Sequence, residues 1–316
     1  MPQSLGSEVQ IFQYVSLDLP SSRDYFELKI GIDILFIQKG YQFRRMTLKG
    51  VDHVSSSLAG LWSSKALQLL QDLMEQQGEN ISTAAQWCAD SILNDGVVHL
   101  FGTGHSRIPL EEMFPRYGSY AGFNPMAELS MTFHTQVVGS NGQRQAMFIE
   151  RVEGFAEEIL KNWDFQKNDI LMIFSVGGKT AVPIEMAIGA RKRGIKVIAV
   201  TSMASNKSGK ANHSSGTTLS DNADLVIDLM VPLGDALVEI PGMQTPVGPG
   251  STMTAIAIVN EIKVQVAEKL FANGYTPQVL TSSAVVGEIE SKRLFDAAYA
   301  EHARRLSSRL TGSNAS

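Results

Sequence analysis

The residue types that could do chemistry concentrate in two short glycine-bearing segments. Gly102-Thr103-Gly104-His105-Ser106-Arg107 follows an apolar run over 97–101, and Ser175-Val176-Gly177-Gly178-Lys179-Thr180 follows another over 170–174. Each runs into a helical pattern. The unpaired N–H groups and positive dipole end of a helix start, with hydroxyls as extra donors, suit such a loop to a phosphate or carboxylate. A dinucleotide fingerprint needs G-x-G-x-x-G, but Arg107 stands at the third glycine position. Gly178-Lys179-Thr180 matches the end of the nucleotide-hydrolase loop G-x-x-x-x-G-K-[ST], but its first glycine would fall on Ile173 inside a strand. Neither a nicotinamide or flavin cofactor nor ATP or GTP is expected.

Short apolar runs over 97–101, 170–174, 197–200 and 225–229 alternate with helical stretches, the pattern of an α/β fold with a parallel sheet. The clearest βαβ unit spans 169–202: a strand, the second loop, a helix over 181–193 ending in Arg191-Lys192-Arg193 before Gly194, and a second strand. Two helices are expected before the sheet, one from Ser63 to a break at Gly78 and one from about Asn80 to before Gly96; later helices are expected over 251–271 and 288–310. Ligands of open parallel sheets collect beyond the carboxyl ends of strands, where both loops fall. Residues 1–45 do not share this pattern and read as an appended leader, with Met46 opening a single domain over 46–316.

The chain has 316 residues, 27 Lys plus Arg against 32 Asp plus Glu, a net charge of −5, and 44% apolar residues. This is a globular composition, and its sign gives no long-range attraction to nucleic acid or an anionic membrane. The single cysteine, Cys88, excludes an internal disulfide and reads as a buried thiol in a helix. There is no signal-peptide pattern, and the most apolar early run, 30–37, is interrupted by Asp33. A cytoplasmic protein is expected. Six histidines form no H-E-x-x-H or other tight ligand cluster, so no metal is expected. His99 alternates within a strand and reads as structural. His105 is the leading functional histidine, and His134, His213 and His302 are weaker candidates.

Taken together, the two loops resemble those of the SIS (sugar isomerase) domain family, in its phosphoheptose isomerase-like branch. The resemblance extends over residues 60–290 and includes the run Ala181-Val182-Pro183-Ile184-Glu185-Met186-Ala187, the segment 194–202, His213-Ser214-Ser215-Gly216, the segment 223–228, and Pro232-Leu233-Gly234-Asp235-Ala236. It implies a three-layer α/β/α, flavodoxin-like doubly wound parallel sheet, with helices over 60–95 and 288–310 flanking it. It also implies a phosphosugar ligand, a homodimer or homotetramer, and no cofactor. The implied phosphosugar-binding residues are Gly104, Ser106, Ser175, Gly177, Gly178, Lys179 and Thr180. The family's second loop commonly reads S-x-S-G-x-[ST]. Here Gly177 replaces the middle serine, removing a donor worth about 0.5–1.5 kcal/mol in an ordinary hydrogen bond, with Lys179 as a compensating charge.

Aldose-ketose isomerisation moves a proton between adjacent carbons and needs a carboxylate base and an acid for ring opening. Glu112, Glu111 and Glu128 are the candidate bases, with Asp235 and Glu239 beside a later turn and His105 as the acid-base histidine. A non-catalytic sugar-phosphate sensor or regulator, or an amino-sugar-phosphate lyase or etherase, remains open.

Overall fold

The computed structural model describes residues 58–132 and 143–310. The expected leader, its boundary at Met46, and His134 lie outside them. The chain runs α1 (Leu61–Leu93), β1 (Val98–Gly102), a 3₁₀ turn (Gly104–Arg107), α2 (Ile108–Met113), β2 (Phe123–Met126), α3 (Leu129–Thr132), α4 (Gln143–Ile149), α5 (Phe155–Leu160), β3 (Ile170–Phe174) and α6 (Ala181–Lys192). It continues through β4 (Lys196–Thr201), α7 (Met203–Asn206), β5 (Leu225–Asp228), β6 (Ala236–Val238), β7 (Val247–Pro249), α8 (Ser251–Ala272), α9 (Ser283–Val286) and α10 (Glu288–Leu306).

β1 to β5 form one parallel sheet in the order β2-β1-β3-β4-β5, with Val98 opposite Ile170 and Ile170 opposite Lys196. Side chains alternate between its two faces. Leu100, Met172, Ile198 and Ile227 point into one core with α1 and α8, while Phe101, Ile173, Val197 and Ala199 point into a second with α5 and α6. Both faces are covered, so the strands read as continuous apolar runs. The result is the three-layer α/β/α arrangement. In this strand order the chain reverses direction across the sheet between β1 and β3, which opens a crevice at their carboxyl ends. The two glycine-bearing loops leave the sheet at those two ends.

Three elements differ from the sequence reading. α1 is a single helix of 33 residues that passes through Gly78. A glycine costs a helix about 1 kcal/mol relative to alanine, while Leu73 and Ile81, either side of it, are fully buried in the core shared with α8. Burial of such side chains is worth about 1.5–3 kcal/mol each, so packing outweighs the break. β2 was not expected because Phe123-Asn124-Pro125-Met126 has no β-branched residue and contains a proline, tolerated here because the strand is at the sheet edge. The β6–β7 hairpin is an antiparallel addition outside the main sheet.

His99 is the structural histidine expected. Asn124 Nδ2 donates to its Nδ1 at 3.0 Å, and its Nε2 lies 3.4 Å from Asp169 Oδ2. The Asn124 donor leaves the ring proton on Nε2, facing the carboxylate. Arg309 closes the network from the chain end at 3.0 Å from Asp169 Oδ1. This buried cluster lies at the amino ends of the strands, opposite the loops.

Candidate functional site

Loop 1, the 3₁₀ turn after β1, can turn sharply because Gly102 carries no side chain. A Cβ there would collide with the Ser106 carbonyl. Loop 2, after β3, closes on itself, with Gly178 N–H donating to Ser175 Oγ at 3.2 Å. Gly178 has φ +60°, and a Cβ on it would run into Asn206 Nδ2 and Thr201 Oγ1, so glycine is required. Gly177 is different: a Cβ there would meet nothing within 4 Å.

His105 and Ser106 of loop 1 meet Ser175 of loop 2 across a small cavity whose third wall is the amino end of α8, Ser251 and Thr252. Its volume is about 30 Å³. In the sequence, Ser251 and Thr252 stand only at the start of the helix expected over 251–271. Asp235 is committed to that opening: its Oδ1 accepts from the Ser251 N–H at 2.7 Å and its Oδ2 from the Ser251 hydroxyl at 2.6 Å. It is a helix cap. Glu239 is exposed on the hairpin.

The rest of the expected set is divided. The Lys179 ammonium turns away to Ser208, donating to its carbonyl at 3.2 Å and its hydroxyl at 3.1 Å. Thr180 donates its hydroxyl to Glu150 Oε1 at 3.0 Å, and Thr103 of loop 1 donates to the same oxygen at 2.8 Å. Glu150 therefore ties the two loops together. Nothing in the sequence marks it, since it follows α4 far from either partner and belongs to no motif.

Glu111 and Glu112 do not line the cavity at loops 1 and 2. α2 buries Pro109, Leu110 and Met113, which turns the two acids to another side. There they line a separate cleft with Arg116, Tyr117, Phe295 and Tyr299. Glu112 pairs with Arg116 and accepts from Asn260 at 3.0 Å; Glu111 pairs with Arg107 at 3.4 Å and is two-thirds exposed. Glu128 is on the loop side of the sheet, just past β2, and α3 after it packs against loop 1. Its carboxylate accepts from the Ser130 hydroxyl at 2.8 Å.

His213 lies elsewhere, with Nε2 3.3 Å from Glu185 and 3.9 Å from Glu153. Its Nδ1 lies 2.7 Å from Ser215 Oγ. Ser214 holds the Glu153 carboxyl below its ordinary range through its hydroxyl and N–H. The His302 ring packs 4.7 Å from that of Phe114, and burial lowers its pKa.

Residues 61–202 match the model of the SIS domain. A UPF0309 protein of Listeria innocua is 33% identical over 219 residues, 69% of this chain and 86% of the relative. The chain belongs to the UPF0309 family. A second member, from Streptomyces griseus, is 32% identical over 232 residues, 73% of this chain and 91% of that one. Among solved structures, a phosphoheptose isomerase from Neisseria gonorrhoeae is 16% identical, covers 66% of this chain and 96% of its own, and has a TM-score of 0.44. This UPF0309 chain is thus an SIS-domain protein whose two strand-end loops stand at the sheet's reversal point. Among its described residues no helix is long and apolar enough to cross a membrane.

Proposed function

We propose that this UPF0309 protein binds a phosphosugar at the reversal point and interconverts its aldose and ketose forms. The observation that carries the reading is the meeting of His105, Ser106, Ser175 and the Ser251-Thr252 helix start around one cavity at the carboxyl ends of β1 and β3. The phosphate is assigned to loop 2 and the first turn of α6, the stretch that carries Ser175, Gly178 and Thr180; the sugar extends toward loop 1. The resemblance in the sequence and the SIS match to residues 61–202 support the ligand class.

For the proton transfer we assign Glu128 as base, because it stands on the loop side of the sheet immediately before α3, which packs against loop 1. His105 is assigned to ring opening. Glu111 and Glu112 are left to their own cleft. The Glu128→Gln variant is expected to keep its stabilisation by a phosphosugar and to lose solvent deuterium incorporation at C1 or C2 of the sugar, read by proton NMR. Retention of incorporation would remove Glu128 from the chemistry.

A second reading, a sugar-phosphate sensor, is favoured by one observation: loop 2 lacks the hydroxyl at Gly177. Stabilisation by a phosphosugar with no exchange in the unmodified protein would select it. We also propose a homodimer, supported by exposed Leu67 and Met74 on α1 and Val264 and Phe271 on α8. Sedimentation showing only the 34 kDa monomer at micromolar concentration would contradict it.

A further inference from the structure

The Thr103 and Thr180 hydroxyls both point at one carboxylate oxygen, Glu150 Oε1, at 2.8 and 3.0 Å. A threonine hydroxyl has a single proton to donate. While Thr180 gives it to Glu150, it cannot give it to a phosphate. The backbone reinforces the arrangement, because the Glu150 carbonyl accepts the Val182 N–H at 3.1 Å in the first turn of α6. A negatively charged side chain is thereby held beside the positive end of a helix of 12 residues, the place of a bound anion.

We propose that Glu150 is a built-in competitor for the phosphate seat: an internal carboxylate that occupies the donors of loops 1 and 2 and must be displaced before a phosphate can take them. The inference rests on the assignment of the phosphate to loop 2 given above. Two physical consequences follow. The entering anion repels the Glu150 carboxylate at close range, so both cannot share the seat at low cost. The displacement also costs every phosphate the same, whatever is attached to it. Inorganic phosphate has only the seat's own donors with which to offset that cost. A phosphosugar adds the contacts of its hydroxyls with the cavity beyond. Glu150 therefore lowers the affinity of the seat for every phosphate, so that only a ligand with further contacts is held at low concentration, and the loss of the hydroxyl at Gly177 acts in the same direction by weakening the seat itself.

The test is calorimetric titration of the full chain with inorganic phosphate. Glu150→Gln keeps the shape and can still accept the threonine hydroxyls, but carries no charge. It is expected to bind inorganic phosphate at least tenfold more tightly than the unmodified protein, a difference of 1.4 kcal/mol. Adding Thr180→Val to Glu150→Gln should remove the gain, because the hydroxyl that the uncharged side chain yields to the phosphate is then absent. Glu150→Ala, which leaves both threonine hydroxyls without that acceptor, should also tighten phosphate binding and serves should the glutamine variant fail to fold. Measurable binding by the unmodified protein with equal or weaker binding by the single Glu150 variants would overturn the role of Glu150 and leave the phosphate assignment standing. No binding of phosphate by any of these proteins at 50 mM, together with no binding of glucose 6-phosphate or fructose 6-phosphate, would overturn the assignment and the proposal with it.

Discussion

The Asp235 carboxylate caps α8 through Ser251, taking its N–H at 2.7 Å and its hydroxyl at 2.6 Å, and so fixes the wall of the cavity opposite loops 1 and 2. Asp235 sits at φ +68°, a conformation that Asp and Asn reach more readily than Ala. Asp235→Ala is expected to destabilise the protein by about 2 kcal/mol through the lost cap and the added strain, and Asp235→Asn by less. Urea unfolding checks the order. An alanine variant as stable as the parent would show that the cap is idle.

Adjacent glycines in loop 2 should respond in opposite ways. Gly177→Ser places its Cβ in open space and supplies the hydroxyl the family's loop commonly has, so folding is expected to be unchanged and phosphosugar binding tighter, by about three- to tenfold for one added hydrogen bond. Gly178→Ala meets Asn206 and Thr201 at a positive φ and is expected to lose both stability and ligand response. Melting temperatures with and without ligand separate the two.

The loops, the βαβ unit over 169–202 and the long helix after Pro249 were legible because each rests on local signals: an apolar run, a glycine turn, a basic helix end. Glu150 was not legible, since its partners are contributed by two other segments and no spacing rule connects them. Glu111 and Glu112 face a cleft away from loops 1 and 2 for a different reason. Their distance from Ser106 in sequence is short, but the phase of α2 is set by Pro109, Leu110 and Met113 turning inward, which directs the acids to the α8 and α10 side. Gly78 misled because a local cost of about 1 kcal/mol was weighed without the packing on either side of it.

Stability should fall in acid. Burial lowers the pKa of His99, against the opposing pull of Asp169. For Asp169, burial acts upward, but the hydrogen bonds from His99 and Arg309 outweigh it and hold its carboxyl below the ordinary range. Both groups bind protons more readily in the unfolded chain than in the native one, so stability rises with pH through this range. The His99 contribution is complete above its unfolded value near 6.5 and is lost as pH falls below it; the Asp169 contribution is lost at still lower pH, below about 4. His302, also lowered by burial, acts in the direction of His99. Urea midpoints at pH 7.5 and 5.5 should show the loss, and a flat or inverted dependence would contradict it.

Cys88 is fully buried in α1, and burial pushes its thiol up to about 12. The thiolate is the reactive form, so the native protein should resist alkylation by iodoacetamide at pH 8 and react fully in 6 M guanidinium. Rapid labelling of the folded protein would place the thiol at the surface.

The central assignment is that of a phosphosugar's phosphate to loop 2 and the first turn of α6, with the sugar toward loop 1. It is tested most directly by the melting temperature of the unmodified protein and of Ser175→Ala against sugar phosphates, the same sugars without phosphate, and inorganic phosphate. A ligand at 100 times its dissociation constant adds about 2.7 kcal/mol to stability, a rise of several degrees for a domain of this size. The account predicts that rise for at least one phosphosugar, none for its unphosphorylated form, and a much smaller one in Ser175→Ala. Equal responses to sugars with and without phosphate, or a full response in Ser175→Ala, would contradict it.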